Sequence, residues 1–162
     1  MAEGNNIGIL TGGGDVPGLN SVIKSVVYRA REMGRDVIGI RKGWEGLTHS
    51  QIVDGQDPQY VWPLTRTNTR TIDRSGGTVL HTSRTNPKRV HKDHVPSFMT
   101  EAELSKLPLE GDLYDFTSVV MDKLDQLGVT TLITIGGDDT LSFSAHLNDA
   151  GMPVIAIPKT MD

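Results

Sequence analysis

Four stretches of the chain bring together residue types that can hold or move a phosphoryl group. The first is Thr11-Gly12-Gly13-Gly14-Asp15-Val16-Pro17-Gly18. Glycines let backbone N–H groups approach an anion closely, and a helix starting just beyond adds the positive end of its dipole. It is not a Walker loop, because no Gly-Lys-Ser/Thr follows, nor the dinucleotide fingerprint, because Pro17 stands where the third glycine would fall. A plain tight turn is the alternative. The second is Gly136-Gly137-Asp138-Asp139-Thr140, where adjacent carboxylates suit a Mg²⁺ that also binds phosphate oxygens. Its alternative is that Asp139 or Thr140 caps the next helix.

The third stretch, Pro158-Lys159-Thr160-Met161-Asp162, offers an ammonium, a hydroxyl and a carboxylate. Such a set can bind phosphate, orient an acceptor alcohol and take its proton, although each type is also common in ordinary exposed loops. The fourth is basic: Arg84, Lys88, Arg89, His91 and Lys92. It reads either as a phosphate clamp or as a solvated charged loop. Arg66, Arg70 and Arg74 recur every four residues, as on one solvated helix face.

The elements that must position these groups follow from apolar patterning. Ile7–Thr11 is an apolar run entering the first glycine stretch and reads as a buried strand. Leu19, Val22, Ile23, Val26, Val27 and Ala30 keep helical spacing, with Gly34 as the stop, and Val37–Ile40 reads as a second strand. Strand, glycine loop, helix and strand make a parallel right-handed βαβ unit. Residues 84–111 are polar and proline-containing and read as a long excursion. Leu113–Leu127 is predicted helical, Thr131–Ile135 a strand, Leu141–Asn148 a short helix and Val154–Ile157 a last strand. Three strands then end in polar loops on one edge of a parallel sheet, where ligands bind in such folds.

Composition narrows the setting. With 162 residues the chain is about one domain, long enough for a core of its own. It has no cysteine, which excludes disulfides, thiol nucleophiles and cysteine-held metals. A formal net charge of -4 argues against a broad nucleic-acid surface. The opening Met-Ala-Glu-Gly-Asn-Asn lacks signal-peptide features, and no apolar run reaches spanning length, so a cytoplasmic protein without membrane or nucleic-acid partners is expected.

Taken in order, the motifs are more specific than any one of them. Gly8-Ile-Leu-Thr-Gly-Gly-Gly-Asp-Val-Pro-Gly-Leu-Asn20 resembles the opening motif of phosphofructokinases. Gly43-Trp-Glu-Gly-Leu47 is similar to the segment after that family's second strand, and Gly76-Gly-Thr-Val-Leu-His-Thr-Ser-Arg84 to its second phosphate-binding segment. Ile135–Thr140 and Pro158–Asp162 complete the series; the likeness is weakest between about 88 and 112. The resemblance implies an α/β, Rossmann-like domain over residues 1–162, a parallel sheet with flanking helices that binds the donor. It implies phosphoryl transfer to the 1-hydroxyl of fructose 6-phosphate, giving fructose 1,6-bisphosphate. Gly13, Gly14, Arg84, Asp139, Thr140 and Lys159 would hold donor phosphates, Arg84 and Lys159 also serving catalysis. Asp138 would position Mg²⁺. Thr160, Met161 and Asp162 would meet the sugar phosphate, with Asp162 as the base.

The resemblance also bears on the donor. The ATP-using pattern has glycine where this chain has Asp139 and Lys159, and the pair looks like the pyrophosphate-using branch. A carboxylate at 139 would repel the α-phosphate of ATP, whereas an ammonium at 159 suits a small, highly charged donor. Pyrophosphate is therefore the expected donor and ATP the alternative. The family motif continues past Asp162 with Asn-Asp, so a partial molecule is expected: the donor side without the sugar-phosphate part, inactive alone, and belonging to a full-length homo-oligomer. A non-catalytic phosphate-binding fragment is the reading from another class. NAD kinase shares a Gly-Gly-Asp loop but leaves the first and third stretches unexplained.

Overall fold

A computed structural model describes residues 4–160; Met161 and Asp162, assigned above to the acceptor side, lie outside the described residues. In chain order the elements are β1 (Asn6–Thr11), α1 (Leu19–Glu32), β2 (Val37–Ile40), α2 (Glu45–Thr48), β3 (Val61–Leu64) and β4 (Val90–His91). There follow α3 (Glu101–Leu104), β5 (Leu109–Glu110), β6 (Leu113–Tyr114), α4 (Thr117–Gln126), β7 (Val129–Gly136), α5 (Asp138–Asp149) and β8 (Val154–Pro158).

The main sheet has the order β3-β2-β1-β7-β8. β1 pairs in parallel with β2 and β7, and β7 with β8. Because side chains alternate across a strand, β1 and β7 feed two cores. Ile7, Ile9, Ile133 and Ile135 pack under α1 with Leu19, Ile23 and Val27. Leu10 and Leu132 pack on the other face with Val120 and Leu124 of α4 and Phe143 and Leu147 of α5. Each such fully buried side chain contributes roughly 1.5–3 kcal/mol. Gly34 and Gly128, at φ 71° and 62°, end α1 and α4 in the left-handed conformation glycine tolerates.

Three local expectations are corrected. Leu113 and Tyr114 do not begin a helix: they form β6, paired with β4 and β5 in a small antiparallel sheet, and α4 starts at Thr117. Asp115 sets that start by accepting hydrogen bonds from the Thr117 backbone N–H (2.8 Å) and hydroxyl. The stretch 84–111 is accordingly not a structureless excursion. Finally, Arg66, Arg70 and Arg74 share no helix. Thr65 and Asn68 exchange backbone–side-chain bonds of 2.8 and 3.2 Å that turn the chain, and only Ile72–Arg74 is helical, as a 3₁₀ turn. Arg66 instead bridges to Glu32 at 3.1 Å and stacks over Tyr28.

Candidate phosphate site at the sheet's switch point

From β1 the chain runs to β2 and β3 on one side, then returns to β7 on the other. The crevice between β1 and β7 is thus the point where strand order reverses, the usual ligand position in such sheets. Three contacts fasten the loops there. Gly12 N–H donates to the Ile135 carbonyl (2.8 Å), Lys159 N–H donates to the Gly136 carbonyl (3.0 Å), and the Lys159 ammonium reaches over Gly13. Nζ lies 3.5 Å from where a Cβ on Gly13 would stand. Gly13 is itself left-handed, at φ 73°.

Asp138 and Asp139 are not in a loop: they form the exposed first turn of α5. Gly137 is the N-cap and no side chain caps it, so the capping role allowed above for Asp139 or Thr140 is not filled. Two carboxylates at this end interact favourably with the helix dipole. Thr140 is 6% exposed. A Cβ on either Gly12 or Gly136 would collide with its side chain, so these two glycines make room for a threonine peg.

Gly13, Trp44, Arg84, Gly137, Asp138, Asp139 and Thr140 line one cleft of about 710 Å³. A second, of about 590 Å³, shares Arg84, Thr85, Asn86 and Arg89 and continues to His49, His91 and His94. The basic cluster therefore divides. Arg84, Arg89 and His91 line the clefts, Lys92 pairs with Asp112 at 2.7 Å, and Lys88 lines a separate hollow beside Leu109. Thr160 is exposed just after β8, and Gly14 is exposed in the first loop.

Among the described residues no three His, Asp or Glu side chains converge as a metal cage. Asp138 and Asp139 do fit the other arrangement, in which Mg²⁺ takes one or two carboxylates and completes its shell with substrate oxygens and water. Sequence reasoning quoted three residues within its motifs without giving them a role of their own. Trp44 is 3% exposed, packs edge-on against Phe143 at 4.8 Å, and its Nε1–H finds no partner among the described residues. Thr11 and Asn20, 0% and 2% exposed, carry buried polar groups at the two ends of the glycine loop. A polar residue on the apolar stripe of a helix was the signal for Asn20.

A doubly covered, mostly parallel sheet with glycine loops, carboxylates and arginine at its switch point defines an α/β domain of the Rossmann-like class. The family model described as phosphofructokinase matches residues 6–162, and the chain belongs to that family. It is 39% identical over 158 residues to the pyrophosphate–fructose 6-phosphate 1-phosphotransferase of Streptomyces coelicolor, covering 96% of this chain and 37% of that protein. To the ATP-dependent 6-phosphofructokinase of Chloroflexus aggregans it is 38% identical over 159 residues, with the same two coverages. The chain thus spans little more than a third of these relatives. Phosphofructokinase from Pichia pastoris in the T-state shares the fold with a TM-score of 0.72 at 21% identity, over 98% of this chain and 16% of that one.

Proposed function

We propose that this chain is the donor-binding part of a pyrophosphate-dependent phosphofructokinase. The observation that carries the reading is the placement of Lys159 over Gly13 together with Asp139 on the wall of the same cleft. A pyrophosphate seated on the Gly13–Gly14 backbone meets the Lys159 ammonium and the Arg84 guanidinium. A donor that extended past Asp139 would meet a like charge. Asp138 would hold Mg²⁺ jointly with donor oxygens, and the ion would offset donor charge.

In the transfer, the bond from the terminal phosphorus to the bridging oxygen breaks and a bond to the sugar 1-oxygen forms. The hydroxyl proton goes to Asp162, and orthophosphate leaves. Arg84 and Lys159 favour the charge that develops. Thr160 and Met161 belong to the fructose 6-phosphate side. The setting is the cytoplasm and the working protein a homo-oligomer that includes the remaining sugar-phosphate contacts.

ATP as donor is the second reading, favoured by the adjoining cleft toward His49 and His91, which has room for a nucleoside. Calorimetric titration of this chain with Mg-pyrophosphate and Mg-ATP separates the two. Pyrophosphate should bind more tightly. Asp139→Gly should improve ATP relative to pyrophosphate by roughly one to two orders of magnitude, equivalent to relief of a few kcal/mol. Lys159→Gly should weaken pyrophosphate. Preference of the wild-type chain for ATP, or a donor ratio unmoved by Asp139→Gly, would transfer the assignment to the ATP-dependent branch.

A further inference from the structure

The segment that ends in Arg84 is held against the glycine loop by buried polar side chains from the loop's own two ends. Asn20, on the first turn of α1, donates from Nδ2 to the Ser75 carbonyl (3.1 Å) and accepts the Val79 N–H at Oδ1 (2.9 Å). Thr11, the last residue of β1, lies 2.9 Å from both Thr78 Oγ1 and the His81 carbonyl oxygen. A hydroxyl has one proton, and a carbonyl only accepts. The order is therefore fixed: Thr78 O–H donates to Thr11, Thr11 O–H donates to His81 O, and Thr78 Oγ1 accepts the Leu80 N–H (3.2 Å).

The bonds made by Asn20 and Thr11 span 55 to 70 residues of sequence. Leu80, fully buried in the core under α1, and the bond from Lys42 N–H to the Leu80 carbonyl (2.7 Å) hold the middle of the segment. The chain turns at His81 with φ 57°, left-handed for a residue that is not glycine. Arg84 follows three residues later.

We infer that Asn20 and Thr11 are positioning residues: they register the Arg84 guanidinium against the glycine backbone, so that cradle and clamp meet the donor phosphates as one unit. This rests on the donor-site reading above. Asn20 satisfies both a carbonyl and an N–H with one planar amide, which no apolar residue and no carboxylate can do. Asp in its place keeps the Val79 bond and sets a carboxylate against the Ser75 carbonyl. Val at Thr11 keeps the shape and breaks the hydroxyl relay.

The test is a double-mutant cycle on pyrophosphate affinity, read by calorimetry on this chain with Mg²⁺. Arg84→Ala should weaken binding roughly tenfold or more, the usual worth of a hydrogen bond to a charged group. Asn20→Ala and Thr11→Val should each lose a substantial part of that factor, and neither should weaken binding further in the Arg84→Ala background. Asn20→Asp should fall between wild type and Asn20→Ala. Val79 amide exchange should quicken in Asn20→Ala at a temperature where circular dichroism shows it folded. If Asn20→Ala does not fold, the isosteric Thr11→Val cycle decides alone. Additive losses, or full affinity in folded Thr11→Val and Asn20→Ala, would overturn the inference and leave the donor site standing. A wild-type chain that binds no pyrophosphate would remove the donor-site reading and this inference with it.

Discussion

Gly12→Ala tests whether the loops at the sheet edge are joined by steric fit. Gly12 is not in the left-handed region, so alanine meets no backbone strain there. By chain entropy alone the change should stabilise the fold by about 0.4–1 kcal/mol. The structure predicts the opposite sign. A Cβ at Gly12 would stand 2.9 Å from Thr140 Cγ2 and 3.1 Å from its Cβ, and nearer still to Oγ1. Thr140 has nowhere to go: Gly136 closes the other side, and the Thr140 carbonyl is held by the Ser144 hydroxyl at 2.8 Å within α5. Overpacking of this kind costs about 1–3 kcal/mol. For a domain of this size each kcal/mol moves Tm by roughly 2–4 °C, so a fall of about 2–12 °C is expected before the entropic gain is subtracted. Thermal unfolding followed by far-UV circular dichroism measures it. Thr140→Ala should relieve the clash, so the double variant should be more stable than the sum of the single changes implies. A Tm that is unchanged or raised in Gly12→Ala, or no coupling to Thr140→Ala, would refute the reasoning.

Two further outcomes follow from charges at the surface. Asp138→Asn should weaken pyrophosphate roughly tenfold with Mg²⁺ present, should not weaken metal-free binding, and should lower Tm by no more than about 4 °C, since the exposed side chain loses only its interaction with the helix dipole. Equal affinity with Mg²⁺ would take Asp138 out of the site. Asp112 is held below its ordinary 3.8, first by the hydrogen bond from Lys92 and then by that ammonium's charge, and Lys92 is raised above 10.5 by the same carboxylate. A depressed carboxylate stabilises the fold above 3.8, and that contribution is lost as pH falls through its lower folded value. Amides of β4 and β6 should therefore lose protection, relative to β1, below about pH 4 and hold it above about pH 5. Lys92→Met should abolish this difference between the sheets, which hydrogen exchange corrected for intrinsic rates will show.

The parallel part of the sheet was legible because its strands are short apolar runs, two of which, β1 and β7, enter glycine directly. Ile7–Thr11, Val37–Ile40, Thr131–Ile135 and Val154–Ile157 all fall inside β1, β2, β7 and β8. β3 was not expected, since Val61-Trp62-Pro63-Leu64 contains a proline; it is tolerated because β3 is an edge strand, antiparallel to β2. The Leu113–Leu127 periodicity misled at its start because Leu113 and Tyr114 are half-buried by cross-strand partners, which local spacing does not encode. The glycine and carboxylate stretches announced themselves by composition. The tethers from Thr11 and Asn20 did not, because each bonds to a segment more than fifty residues away. Thr140 was placed on the donor; its burial as a peg between Gly12 and Gly136 emerges only when β1 and β7 lie side by side.

Asp139 and Lys159 have a consequence for the history of such proteins. Asp139 is exposed on the first turn of α5 and Lys159 follows the last strand, so neither belongs to either core. Exchanging them with glycine shifts stability by only about 1 kcal/mol at the helical position, a small part of a domain's total. Both residues could therefore change in a lineage without passing through an unfolded intermediate, whereas a change at Thr11, Asn20, Thr140 or the isoleucines beneath them would disturb buried contacts.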